Sequence, residues 1–187
     1  MLSRLKYIDR WSLMRNTERE NVCEHSMQVA SIAHALCVIK NKKFGGDLDC
    51  GKAAIIALYH DMPEILTGDM PTPVKYRNPE IKTVYKQIEA SAGKTLLAML
   101  PKELQSEYED FFIENEQDEY LHKLVKAADK ICALTKCIEE KKAGNTEFDS
   151  AALSAEESIK KMGLPEVDYF METFIDSFRQ TLDQQEF

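Results

Sequence analysis

Residues that interrupt helices are scarce in this chain: its 187 residues include only seven glycines and six prolines. Pro63, Pro71, Pro73 and Pro79 fall close together around Gly68, which predicts one loop, about Thr67 to Pro79. The five cysteines are odd in number, scattered, and never spaced C-x-x-C, so neither a disulfide framework nor a structural zinc site is expected. Reduced thiols fit a cytoplasmic setting. Positive charge is short as well: 24 Lys and Arg face 32 Asp and Glu, a net charge of −8. Such a balance argues against binding a nucleic acid polymer, whose phosphates need a basic surface. A small anionic substrate stays open if positive charge is concentrated locally. The opening MLSRLKYIDRW has no long apolar stretch. No apolar run approaches the roughly eighteen residues of a membrane span, so neither a secretion signal nor a membrane partner is expected.

What remains is helical periodicity within a length suited to one domain, taken as residues 1–187. Val22, Val29, Ile32, Ala33, Leu36 and Ile39 recur at three- and four-residue steps after Asn21, and Gly45-Gly46 ends that segment. A second helix, about Cys50 to Asp61, is nearly all apolar before its final polar pair and is expected to be buried; Pro63 opposes its continuation. Further helices are predicted at about Glu80 to Leu100, Lys102 to Glu114, Asp118 to Lys142, Glu147 to Met162 and Glu166 to Leu182. Trp11, the single tryptophan, is placed in an apolar N-terminal helix. No period-2 run is long enough to nominate a sheet. The expected fold is all-α, a compact bundle of about seven or eight helices.

Ionisable residues on the apolar faces carry the chemistry. His60-Asp61 closes the most apolar helix, where two polar groups are expensive unless paired or bound to a metal; taken alone, the dipeptide reads first as a His-Asp hydrogen bond capping the helix. His25 lies in the first turn of its helix, while His34, nine residues on at ~100° per residue, points about half a turn away. Asp129 interrupts a face made by Val125, Ala128, Cys132 and Ala133; Lys126 offers it an ordinary ion pair, and a ligand role is the alternative. Two imidazoles and two carboxylates together form a mixed nitrogen and oxygen set suited to a divalent transition ion such as cobalt, manganese or zinc.

The pattern H…HD…D, extended by HDMPE, resembles the HD-domain phosphohydrolase superfamily. The segments DRWSLMRN, ENVCEHSMQVA, NKKFGG, YHDMPEILTGDMPTPVKY, VKAADKICALTKCIEE and VDYFMETF resemble, along nearly the whole chain, the bacterial HD-domain 5′-deoxynucleotidases. The resemblance implies a helical, metal-dependent, homodimeric enzyme that removes phosphate from deoxyribonucleoside 5′-monophosphates. It places His25, His60, Asp61 and Asp129 at the four metal-ligand positions, and Glu64 at the catalytic carboxylate. Arg10 and Trp11 match the substrate-pocket pair, and Asp69 a position near the sugar and the reacting centre. Lys75 and Arg77 are candidates for phosphate capture; Pro63, just before Glu64, bears on how that carboxylate is aimed. Two alternatives stand beside this reading. One is an HD phosphohydrolase acting on a cyclic nucleotide, a ribonucleotide or an alarmone; the other is a non-catalytic helical nucleotide-binding protein with a structural metal. The apolar residues Leu164, Val167, Phe170, Phe174 and Phe178 are the expected dimer contacts.

Overall fold

Asn21 starts the first long helix, α1 (Val22–Phe44), by accepting from the backbone N–H of Glu24 while the Glu24 side chain reaches back to the Asn21 N–H. Gly45 ends it with φ 68°, a left-handed conformation that glycine adopts without strain. Asp49 caps α2 (Cys50–Tyr59) in the same way through the Lys52 N–H. A computed structural model describes this architecture for residues 1–75, 77–113 and 115–185.

After α2 the chain does not simply stop at Pro63. It winds on through i→i+3 bonds, Met62 N–H to Tyr59 O and Glu64 N–H to Asp61 O, each 3.0 Å, into the single-turn helix α3 (Glu64–Thr67). The expected proline-rich loop carries another single turn, α4 (Thr72–Lys75), with Pro73 within its first turn, where a missing N–H leaves no helical bond unmade. Then follow α5 (Pro79–Ala98), α6 (Lys102–Phe112), α7 (Glu119–Lys142), α8 (Asp149–Lys160) and α9 (Pro165–Phe174). The predicted end of α6 at Glu114 lies outside the described residues. Seven longer helices and two single turns therefore stand where seven or eight helices were expected, and no strand occurs among the described residues.

Two expectations need correction. The N-terminus is not an α-helix bearing Trp11: a 3-10 segment, Leu2–Tyr7, ends before it, and Trp11 sits in a loop with φ 57°. The chain doubles back there to form an isolated antiparallel bridge between Asp9 and Asn21, and that tertiary pairing overrides the local apolar pattern. The final predicted helix, Glu166 to Leu182, breaks after Phe174 into 3-10 segments Ile175–Arg179 and Leu182–Gln184.

Helices α1, α2 and α7 pack against one another, with α8 lying on α7 and α9 on α1. Their shared core includes Val29, Leu36, Ile56, Leu124 and Ile131, each almost wholly shielded from water. Val167 and Phe170 join this core, and Leu164 and Phe178 pack against it, so four of the five residues nominated for a dimer contact serve the chain's own interior; Phe174 stays 41% exposed. A smaller cluster of Leu5, Val22, Met62 and Leu96 ties the N-terminal segment to the turn after α2. By length and mean hydropathy α1 would suffice to cross a membrane, but half of its most apolar window is buried inside the protein.

Candidate functional site

Three core helices bring four of the candidate residues together. His25 shares the inward stripe of α1 with Val22, Val29 and Ile32, and its side chain is fully buried. His60 and Asp61 leave the end of α2, and Asp129 projects from the middle of α7. His25 Nε2 lies 3.1 Å from Asp129 Oδ1 and 3.5 Å from Asp61 Oδ2, and His60 Nε2 lies 3.1 Å from Asp61 Oδ2. His25, His60 and Asp61 each offer one ligand atom within 4.8 Å of the others. His34 stays exposed, as its helical phase requires.

The bonding around these groups tests whether a cation fits. The Nδ1 of His60 is 2.6 Å from the carbonyl of Ala57, which assigns the ring hydrogen to Nδ1 and leaves the Nε2 lone pair free. Among the described residues, neither His60 Nε2 nor either ring nitrogen of His25 makes a hydrogen bond, although carboxylate oxygens stand close by. Buried polar atoms left unpaired are costly. Nitrogen and oxygen atoms converge here without donating to one another, as lone pairs aimed at a common point do. The donor set fits a divalent cation.

Electrostatics agree with a site short of positive charge. Burial opposes the charged form of His60, but Asp61 and Asp129 push its pKa up to about 9. Asp129 is held well below the usual carboxylate range: burial works the other way, and His25, Arg10 and His60 outweigh it. Glu64, 8% exposed at the start of α3, is pushed up to about 9, first by burial and then by Asp61 and Asp69. Its Oε2 has no hydrogen-bond partner. Asp69 is raised too, by burial foremost and by Asp61, with Arg10 and Lys75 opposing. His60, Asp61 and Glu64 line one wall of a cavity of about 400 Å³ that extends past Glu89 and Phe112 to His122.

Arg10 is no solvated cation. Its side chain is 13% exposed, one amino group 3.3 Å from Glu20 Oε2 and the other 3.9 Å from Asp129 Oδ1. Burial works against its charge, yet Glu20, Asp129, Asp61 and Asp69 together hold its pKa above the ordinary value. Trp11 meets Phe148 edge-on at 5.3 Å between ring centroids. Lys75 pairs with Glu89 at 2.8 Å and stands over the Tyr85 ring at the edge of the site. Sequence reasoning passed over Glu20. Its place directly before the capping Asn21 was the available signal, because a residue there enters the bundle with the helix.

A helical bundle that gathers a histidine, a His-Asp pair and a distant aspartate defines the class of HD-domain phosphohydrolases. In agreement, the fold is similar to that of an HD-domain phosphohydrolase from Listeria innocua, with a TM-score of 0.83 at 26% identity over 95% of this chain and 85% of that one. A cyanophage HD phosphohydrolase (DatZ), solved bound to dA and one catalytic zinc ion, is similar with a TM-score of 0.65 at 25% identity over 96% and 95% of the two chains. The family described as 5′-deoxynucleotidase YfbR-like matches residues 1–178, and the chain belongs to it. The chain is 51% identical over 98% of its length to a 5′-deoxynucleotidase of Vibrio vulnificus, of which the match covers 94%. It is equally similar to one of Yersinia pestis, of which it covers 93%.

Proposed function

We propose that this protein is a metal-dependent 5′-deoxynucleotidase, hydrolysing deoxyribonucleoside 5′-monophosphates to deoxyribonucleoside and phosphate. The observation that carries the reading is the convergence of His25, His60, Asp61 and Asp129 beside the buried carboxyl of Glu64 and the guanidinium of Arg10. The names of the 51%-identical relatives support the substrate class. His25, His60, Asp61 and Asp129 would hold one divalent cation, with cobalt, manganese and zinc all suited to the donors. When bound, that cation supplies Lewis-acid charge to the phosphoryl group.

The remaining chemistry belongs to side chains. Arg10 turns a fork of donors toward phosphate oxygens, with a planar geometry that lysine does not offer. Glu64, buried at the start of α3 and lining the same cavity as His60 and Asp61, is suited to carry a proton between the attacking water and the leaving 5′-oxygen. Water oxygen bonds to phosphorus, the P–O5′ bond breaks, and the displaced proton reaches O5′ by way of Glu64. Trp11 and Asp69 shape the sugar side, where an indole excludes a 2′-hydroxyl by bulk. Lys75 adds positive charge at the rim.

Phosphate release from dAMP, with and without chelator, tests the reading. Activity is expected to vanish on chelation and return with manganese, cobalt or zinc; full turnover by a metal-free sample would refute it. A homodimer is proposed on the family resemblance, with the exposed Phe174 as its remaining apolar contact. A monomeric mass at micromolar concentration would exclude that assembly. The free thiols support a reducing, cytoplasmic setting.

A further inference from the structure

Nothing in the mechanism above uses Glu20, although it is 7% exposed and buried carboxylates persist only where they are partnered. Its partners are unusual in kind. One oxygen, Oε2, accepts from both the Arg10 guanidinium at 3.3 Å and the Trp11 indole N–H at 3.1 Å. The other, Oε1, lies 4.0 Å from Nδ1 of His25, the ring nitrogen that faces away from Asp129 and Asp61. Three side chains from the loop and from α1 thus meet around a single carboxylate.

The backbone explains why such an anchor is needed. Trp11 adopts φ 57°, a conformation that residues other than glycine adopt only when their surroundings impose it. The loop is closed at its neck by Arg10 N–H to Glu20 O at 2.9 Å and Val22 N–H to Ile8 O at 3.0 Å. Asn16 Nδ2 donates to the Trp11 carbonyl at 3.1 Å and to that of Met14 at 2.9 Å. These bonds fix the main chain but not the directions of the Arg10 and Trp11 side chains.

We propose that Glu20 is a positioning residue that sets Arg10, Trp11 and His25 in one register, and thereby governs phosphate binding and sugar discrimination without touching substrate. The inference rests on the 5′-deoxynucleotidase reading for its substrates, but not for its geometry. The indole meets Phe148 at 5.3 Å between ring centroids, carries the Arg10 guanidinium 5.9 Å from its ring centre, and is tied through its N–H to Glu20. Arg10 donates to Glu20 from one amino group, while its other amino group lies on the site side, 3.9 Å from Asp129 Oδ1. The Glu20 carboxylate stands 4.0 Å from His25 Nδ1, close enough for its charge to act on the ring without a hydrogen bond.

The test compares Glu20→Gln with wild type on two readouts. Trp11 is the sole tryptophan, so intrinsic fluorescence reports its surroundings without substrate or turnover. The variant is expected to show red-shifted emission and stronger iodide quenching. On dAMP its KM is expected to rise about tenfold to a hundredfold, the range for losing a hydrogen bond to a charged partner, with kcat changing less and the preference for dAMP over AMP narrowing. Unchanged emission, quenching and KM in a folded variant would overturn the proposal, and so would a loss confined to kcat. If Glu20→Gln does not fold, Glu20→Asp, which keeps the charge and shortens the reach, is read by the same measures. Wild type inert toward dAMP would sink the activity reading alone, since the fluorescence comparison still decides whether Glu20 holds Trp11.

Discussion

Replacing Glu140 by alanine should destabilise the protein by about 3–5 kcal/mol, the range for breaking a buried ion pair on one side. Glu140 is 1% exposed and Lys136, one turn earlier on α7, is 4% exposed. The carboxylate accepts from Lys136 Nζ, from the Thr17 and Glu18 N–H groups at 2.9 and 3.4 Å and from Asn145 Nδ2 at 2.7 Å, so its removal takes a partner from an ammonium and three further donors. Lys136 would keep the Glu18 carbonyl and the face of Phe148. For a chain of this size each kcal/mol moves Tm by roughly 2–4 °C, so the melting point should fall by roughly 6–20 °C. Circular dichroism melts at neutral pH measure it. The pH dependence has a definite sign. Burial works against the ionised Glu140, but Lys136, Asn145 and Thr17 hold its pKa well below the ordinary 4.5. The stabilisation is therefore complete above about 4.5 and fades as pH falls toward the folded value, so the two melting points should converge in acid. Removing both charges, as Lys136→Met with Glu140→Leu, should recover part of the loss. A fall under 2 °C for Glu140→Ala at neutral pH would refute the account.

Two further outcomes concern the site itself. Glu64→Gln should lower turnover by about 10² to 10⁴-fold with bound metal near wild type, whereas Asp129→Ala should lose metal and activity together; metal analysis beside kinetics separates them. If Glu64→Gln keeps most of its activity, or sheds the ion, the proton-carrying role is wrong. Trp11→Ala should narrow the ratio of dAMP to AMP turnover, and equal wild-type rates on the two substrates would end the selectivity claim before any variant is made.

The long helices were legible because each carries its own punctuation. Asn21, Glu24 and Gly45 bound α1 within a few residues of the reading, and helical phase set His25 apart from His34. His60, Asp61 and Asp129 could be picked out because ionisable groups on apolar faces conflict with burial. The loop from Asp9 to Asn21 was not legible: nothing in the local text marks Trp11 for a left-handed conformation, and its return to the start of α1 takes Trp11 out of helical geometry. For the same reason Glu20 escaped notice, since its partners are assembled by that return. The aromatics of α9 were read as spare surface because sequence gives no measure of how much core α1 and α7 leave to fill.

The ligand candidates come from segments far apart along the chain: the start of α1, the turn after α2 and the middle of α7. An ion held among them acts as a crosslink between the three elements that make up the centre of the bundle. Loading should then be felt as mechanical reinforcement as well as chemistry, with Tm rising with free metal by mass action, about 2.7 kcal/mol at a hundredfold excess over Kd. Hydrogen exchange should slow most where the crosslink lands, at the first turn of α1 and the residues joining α2 to α3. A cell that starves this enzyme of its ion would thereby hand its proteases a looser substrate.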